Sequence, residues 1–320
     1  MATKTTIKKI MSNRIEWLDV AKGITIVLMV LGHTSIPDVL SRIIFAFHMP
    51  LFFIASGWTT NWTKLSFGKF VLKKRRTILL PFFLYSAVVL LVMCKAMDYD
   101  VIKWLTRGWG GYALWFIPVL FVSSLIGRLV WLQQNKYIRW LLMLLLIFVG
   151  AGLRYYDIWL PWTLSSVPYA SFLVLLGTEL KQYIGEYIEK PCWWLMIICL
   201  IVTIGISHFW KLDLAWNNIL PVLPLTIGAV SGTLIMFIFS SFIMSKTRVA
   251  NIILKKIGEE TFAIVAFSQI IIMLLNEYTS LNAIIRYSIL ILIMVFIVFI
   301  KNRWKYIFNN ARIGNNSSIL

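Results

Sequence analysis

The feature that most constrains this chain is the near-unbroken succession of apolar runs of bilayer-spanning length. A helix crosses the hydrocarbon core in about 20 largely apolar residues. Runs of roughly that kind cover 20–36, 43–60, 77–97, 112–132, 138–153, 162–179, 192–210, 219–244, 261–275 and 282–300, the fifth and ninth being the shortest. In lipid the backbone must satisfy its own polar groups, which leaves helices as the solution for runs of this length. The expected fold is therefore all-α, a polytopic transmembrane bundle of about ten spans forming a single membrane-embedded domain over 1–320. Composition agrees: 60% of the residues are hydrophobic and 14% charged, against about 25% charged in a soluble domain. The first apolar run continues into further spans and has no cleavage-site pattern after it, so the N-terminus is expected to be retained.

A net charge of +18 raises the question of nucleic acid, but the basic residues punctuate apolar segments and form no water-facing patch, so no nucleic-acid partner is expected. They report orientation instead. With a cytoplasmic N-terminus and ten spans, 24 of the 31 lysines and arginines fall inside and seven outside, the asymmetry of the positive-inside rule. The inside set includes Lys4, Lys8, Lys9, Arg14, Lys190, Arg303, Lys305 and Arg312. Residues 1–19 and 301–320 are then cytoplasmic segments, and the partner of the surface is the lipid bilayer. Cys94, Cys192 and Cys199 lack metal-ligand spacing and lie in or beside apolar runs, as buried free thiols do; no metal is expected. Pro37, Pro81, Pro161 and Pro191 fall at span ends, whereas Pro118, Pro168, Pro221 and Pro224 are expected to kink or open the helices that carry them. No loop can hold a soluble domain, the longest outer one lying around Met97 to Gly111, so any chemistry takes place within the bundle.

Ionisable groups inside spans are costly and default to functional hypotheses. The first hairpin holds several: Asp19, Lys22, His33 and His48. Lys22 and His33 are eleven residues apart, about 20° apart around the helix and about 16 Å along it. Asp19 lies about 21 Å from His33, which excludes a His–Asp dyad on a continuous helix. Lys22 belongs at the inner mouth, and His33 near the outer end. A short turn brings His48 to similar depth, and two imidazoles facing one cavity form an acid/base centre for neutral pH. Each residue also has a structural reading: a snorkelling or hydrogen-bonded histidine, an aromatic belt for His208 and Trp115, a topology anchor for Lys73, Lys74, Arg75 and Arg76, and close helix packing against the first span for Ser56 and Gly57.

The pattern Leu18-Asp19-Val-Ala-Lys22-Gly23, then Gly32-His33, Phe47-His48-Met49-Pro50-Leu51-Phe52-Phe53, Ser56-Gly57 and the basic run before Leu80-Pro81 resembles the acyltransferase-3 family of ten-span membrane acyltransferases. Lys22 and His48-Met-Pro resemble its fucose 4-O-acetylase-like branch. The resemblance is specific over residues 14–81, weaker at Leu114 to Pro118, and general beyond. It implies an acyl-coenzyme A donor, most simply acetyl-CoA, on the cytoplasmic side, and as acceptor a hydroxyl of a surface or lipid-linked saccharide. It also implies a multi-pass protein of the cell membrane, expected to be a bacterial plasma membrane. His33 is then a general base or a transient acyl carrier, with His48 beside it. Asp19, Lys22, Ser56, Lys73 to Arg76 and Trp115 are candidates for substrate binding. Many relatives have arginine in place of Lys22, and many carry a late histidine where this chain has Gly258-Glu259-Glu260-Thr261 followed by Ser268-Gln269. A transporter or flippase of the same glycan and a glycan polymerase are the competing classes. Transporters often show paired helix interruptions in matching halves, and no such pair is found here.

Overall fold

Every one of the ten apolar runs falls largely on helix. The structure, a computed structural model, describes residues 15–301 apart from 35, 98, 99, 103–105, 107, 109–111, 190, 191, 283 and 284. The terminal lysines and arginines named above, Lys190, and most of the expected outer loop around Met97 to Gly111 lie outside the described residues. In chain order the helices are α1 (Glu16–Gly32), α2 (Asp38–Thr59), α3 (Phe67–Lys74), α4 (Leu80–Met97), α5 (Phe116–Trp131), α6 (Lys136–Tyr155), α7 (Val167–Glu189), α8 (Trp193–Phe209), α9 (Val222–Lys246), α10 (Arg248–Glu259) and α11 (Thr261–Tyr278). Residues 285–301 form α12. No strand occurs among the described residues. Six helices are long and apolar enough to cross a membrane: Asp38–Thr59, Phe67–Ala96, Ala113–Trp131, Lys136–Tyr155, Val222–Lys246 and Thr261–Tyr278; Trp193–Phe209 is apolar but shorter.

The prolines depart from expectation in two ways. Pro118, Pro168 and Pro224 lie within the first turn of α5, α7 and α9, and Pro221 is the N-cap of α9. A missing N–H costs nothing in a first turn, so these prolines start helices and do not interrupt them. Pro81, expected at a span end, lies inside the continuous helix 67–96. The π-helical turn Arg75–Leu79 precedes it, with Leu80 N–H donating to Arg75 O, and such a turn is one of the recognised ways for a helix to absorb a local fault. Lys73 to Arg76 therefore belong to the helix itself. At 30 residues it is about 45 Å long, long enough to carry its basic end beyond the hydrocarbon.

The bundle is centred on α2, which packs against α1, α7, α8 and α9. The α2–α7 crossing is set by two glycines: a Cβ on Gly57 would lie 1.7 Å from Val174 O, and one on Gly177 2.1 Å from Ile54 O. Close helix packing at Gly57 is thus directed at α7 and not, as expected, at the first span. Between the apolar runs 219–244 and 261–275, helix α10 is a short amphipathic helix laid against α1, with Lys255 donating to Glu16. Of the three thiols, Cys199 is buried but Cys192, the N-cap of α8, is exposed.

Candidate active site

Helix α1 ends at Gly32 and His33 caps it. The short turn to α2 returns the chain so that His48 comes opposite, the two ring centroids 6.2 Å apart and nearly perpendicular. Phe45 packs edge-on against both, 5.4 Å from His33 and 4.8 Å from His48. His48 is buried, and its Nδ1 is 2.9 Å from Ile44 O. A carbonyl only accepts, so Nδ1 carries the proton and Nε2 is left as an acceptor. Pro50, two residues on inside α2, has no N–H for the carbonyl one turn back.

Both imidazoles line a cavity of about 540 Å³, within the range of small-molecule sites. Met29, Met49, Ala113 and Trp115 form apolar walls. Gln269, Asn276 and Glu277 come from α11, Thr163 from the turn before α7, and Lys211 to Trp216 from the loop between α8 and α9. Lys211 Nζ lies 4.5 Å from the Phe45 ring centroid, cation–π distance. The Asp213 carboxylate accepts from Ala215 N–H at 3.1 Å. Burial pushes its pKa above the ordinary 3.8, against the pull of Lys211 and the loop amides.

A second, smaller cavity of about 240 Å³ lies further along the bundle, lined by Lys22, Ser56, Phe52, Phe116, Glu259 and Lys301 among others. Asp19 is buried and holds Lys22 Nζ at 2.6 Å; Lys301 pairs with the buried Glu260 at 2.5 Å. The consecutive residues Trp115 and Phe116 line one cavity each, as do Met49 and Phe52 one turn apart. An aromatic layer, with Phe52 and Phe116 centroids 5.8 Å apart, lies between the two.

The structure thus gathers His33, His48 and Trp115 in one cavity, and Lys22, Ser56 and the Asp19 ion pair around the other. Lys73 to Arg76 line neither. Lys74 turns inward, donating to Ser124 Oγ at 3.3 Å beside the Phe70 ring, whereas Lys73, Arg75 and Arg76 are exposed. His208 is exposed next to Phe209. Among the described residues no group of three His, Cys, Asp or Glu is placed to hold a metal. The sequence reading missed Lys211, Asp213, Asn276, Glu277 and Lys301. Lys211 did leave a signal: it is one of the few basic residues on the expected outer side, where the positive-inside rule gives it no reason to be.

The acyltransferase domain model matches residues 15–303, most of the 320-residue chain. No curated protein and no solved structure matches it. With its apolar helices, the chain is a multi-pass membrane acyltransferase that belongs to the acyltransferase-3 family.

Proposed function

We propose that this acyltransferase moves an acyl group, most simply acetyl, from acyl-CoA to a hydroxyl of a surface or lipid-linked saccharide, as in the fucose 4-O-acetylase-like branch. The observation that carries the reading is the pair of imidazoles facing one cavity of about 540 Å³, lined by both apolar walls and hydrogen-bonding groups. The family places the chain with acyltransferases, so the transporter and flippase readings are not favoured. In this proposal the chain has ten spans, both termini are cytoplasmic and residues 1–320 form one domain in the bacterial plasma membrane. The cavity with Lys22 then opens toward the inner face and the histidine cavity toward the outer.

The donor's phosphates meet the basic inner face, where Lys22, held by Asp19, and the Lys73 to Arg76 segment supply positive charge. Its thin pantetheine arm passes Ser56 and the Phe52–Phe116 layer, and the thioester reaches the outer cavity. There His33 takes the proton of the acceptor hydroxyl as it attacks, or first receives the acyl group itself and passes it on. His48, fixed as the Nδ1–H tautomer, keeps an acceptor nitrogen facing the same space. Trp115 offers a flat apolar face to a sugar ring, and Gln269, Asn276 and Glu277 offer partners to its hydroxyls.

The test is transfer of radiolabelled acetyl from acetyl-CoA by purified protein with extracted surface glycan as acceptor. His33→Ala is expected to lower kcat by about a thousandfold, within the range of lost acid–base catalysis. Near wild-type transfer by this variant overturns the assignment. For the basic segment, Lys73→Ala with Arg76→Ala is expected to raise the donor KM, and unchanged kinetics would return it to a topology anchor.

A further inference from the structure

We infer that Lys211, from the loop between α8 and α9, is a further catalytic residue of the histidine cavity, its ammonium stabilising the oxyanion that forms when the acyl carbonyl is attacked. The inference rests on the reading of that cavity as the acyl-transfer site and adds a group that neither family membership nor the histidine pair requires. Among the described residues that line the cavity Lys211 is the one lysine or arginine. Its Nζ lies over Phe45, whose ring is also in edge contact with both histidines, so the ammonium is directed at the histidine end. Asp213 accepts from Ala215 N–H and feels the charge of Lys211, yet among the described residues Lys211 forms no ion pair.

A charge stabiliser must be held in place before the reaction, and this loop is held by backbone and buried groups. Asp213 and Asn218 exchange two backbone hydrogen bonds, at 3.1 and 2.8 Å. Asn218 Nδ2 donates to Lys211 O at 2.9 Å, Ser166 Oγ to Leu214 O at 2.5 Å and Asn217 Nδ2 to Gly150 O at 3.3 Å. Leu212, Leu214 and Ile219 are buried. None of these hydrogen bonds uses the Lys211 amine, so the backbone of the loop is fixed without it, and the amine itself rests on the Phe45 ring.

The hydroxyl oxygen bonds to the acyl carbon and its proton goes to His33, while the carbonyl π pair moves onto the oxygen, which accepts a hydrogen bond from the Lys211 ammonium. The pair then returns, the carbon–sulfur bond breaks, and the coenzyme thiolate takes the proton from the imidazolium. Lys211 stays protonated throughout. If an acyl-imidazole forms first, an oxyanion arises twice and the same ammonium serves both.

The experiment compares Lys211→Met and Lys211→Arg with the parent and with His33→Ala, in acetyl transfer and in the slow hydrolysis of acetyl-CoA without acceptor. Lys211→Met keeps the stem and every loop contact named above. It is expected to lower kcat for transfer and the hydrolysis rate alike by about a hundredfold or more, as loss of one oxyanion donor does, with acceptor KM nearly unchanged. Lys211→Arg is expected to recover part of both rates. A defect confined to acceptor KM, with hydrolysis intact, overturns the inference and makes Lys211 an acceptor-binding residue; wild-type rates in Lys211→Met overturn it outright. Retained transfer in His33→Ala instead removes the reading of the cavity, and this inference with it.

Discussion

Gly23 of α1 and Gly258 of α10 face each other so closely that neither has room for a side chain: a Cβ on Gly23 would lie 2.0 Å from Leu254 O, and one on Gly258 1.9 Å from Asp19 O. Both obstacles are backbone, which cannot swing aside as a side chain can. The same crossing fixes the segment that carries Asp19 and Lys22, and Gly258 itself lines the Lys22 cavity. Small residues are the general means by which membrane helices approach this nearly.

Gly258→Ala is therefore expected to destabilise the protein by about 2 kcal/mol, the usual scale of overpacking, and to raise the donor KM by shifting α10. Gly23→Ala has the same effect. Because both force the same two helices apart, the double variant is expected to cost clearly less than the sum. Thermal unfolding of the detergent-solubilised protein measures all three, and full additivity would show that the glycines do not share one crossing.

The helices were legible because lipid demands long apolar runs, and a run of twenty such residues has few other uses. The spacing of Lys22 and His33 on one helix already set them far apart along it, and in the structure they line different cavities. The prolines were harder. A proline in a first turn and one in a helix interior look alike in sequence unless the boundary is known to a residue or two, so the first-turn places of Pro118, Pro168 and Pro224 are visible only in the structure. Helix α10 was hidden because it is amphipathic and short, with exposed Ile252 and Ile253 set among basic residues. Lys211 and His33 share a cavity across more than half the chain, and no local pattern encodes such a meeting. The direction of the small-residue contact at Gly57 was likewise a tertiary fact.

Lys22 and Asp19 form an ion pair in which the carboxylate is buried and the ammonium about a quarter exposed. Breaking such a pair from one side costs more than its net worth, because desolvation of the remaining charge is no longer offset. Lys22→Met is expected to destabilise by about 2 kcal/mol and to raise the donor KM, while Lys22→Arg keeps most of the stability. Adding Asp19→Asn to Lys22→Met is expected to recover part of the loss. Denaturation of the parent, Lys22→Met, Asp19→Asn and the double variant in one detergent gives the coupling, and its absence would separate the pair from stability altogether.

His48→Phe preserves an aromatic ring of similar size next to Phe45 but removes both the hydrogen bond to Ile44 O and the second ring nitrogen. With the fold intact, kcat for acetyl transfer is expected to fall about a hundredfold, in the range for a lost acid–base group, with donor KM unchanged because the Lys22 cavity is not touched. A wild-type kcat would assign His48 to packing and leave His33 to act without it.

Asp213 gives a prediction about pH. Its carboxyl is raised above 3.8 first by burial, with Lys211 and the loop amides opposing. An acid with a higher pKa in the folded state binds its proton more tightly there than when unfolded. Stability is then largest below the unfolded value and falls as pH rises from about 4 through the folded pKa, levelling off above it. Asn in this position keeps the oxygen that accepts from Ala215 N–H but does not titrate. The difference in Tm between Asp213→Asn and the parent is therefore expected to grow in favour of the variant as pH rises from about 4 toward neutrality. A difference that is flat with pH would show that the loop leaves Asp213 as well solvated as the unfolded chain does, and so that the floor of the histidine cavity on this side is open to water.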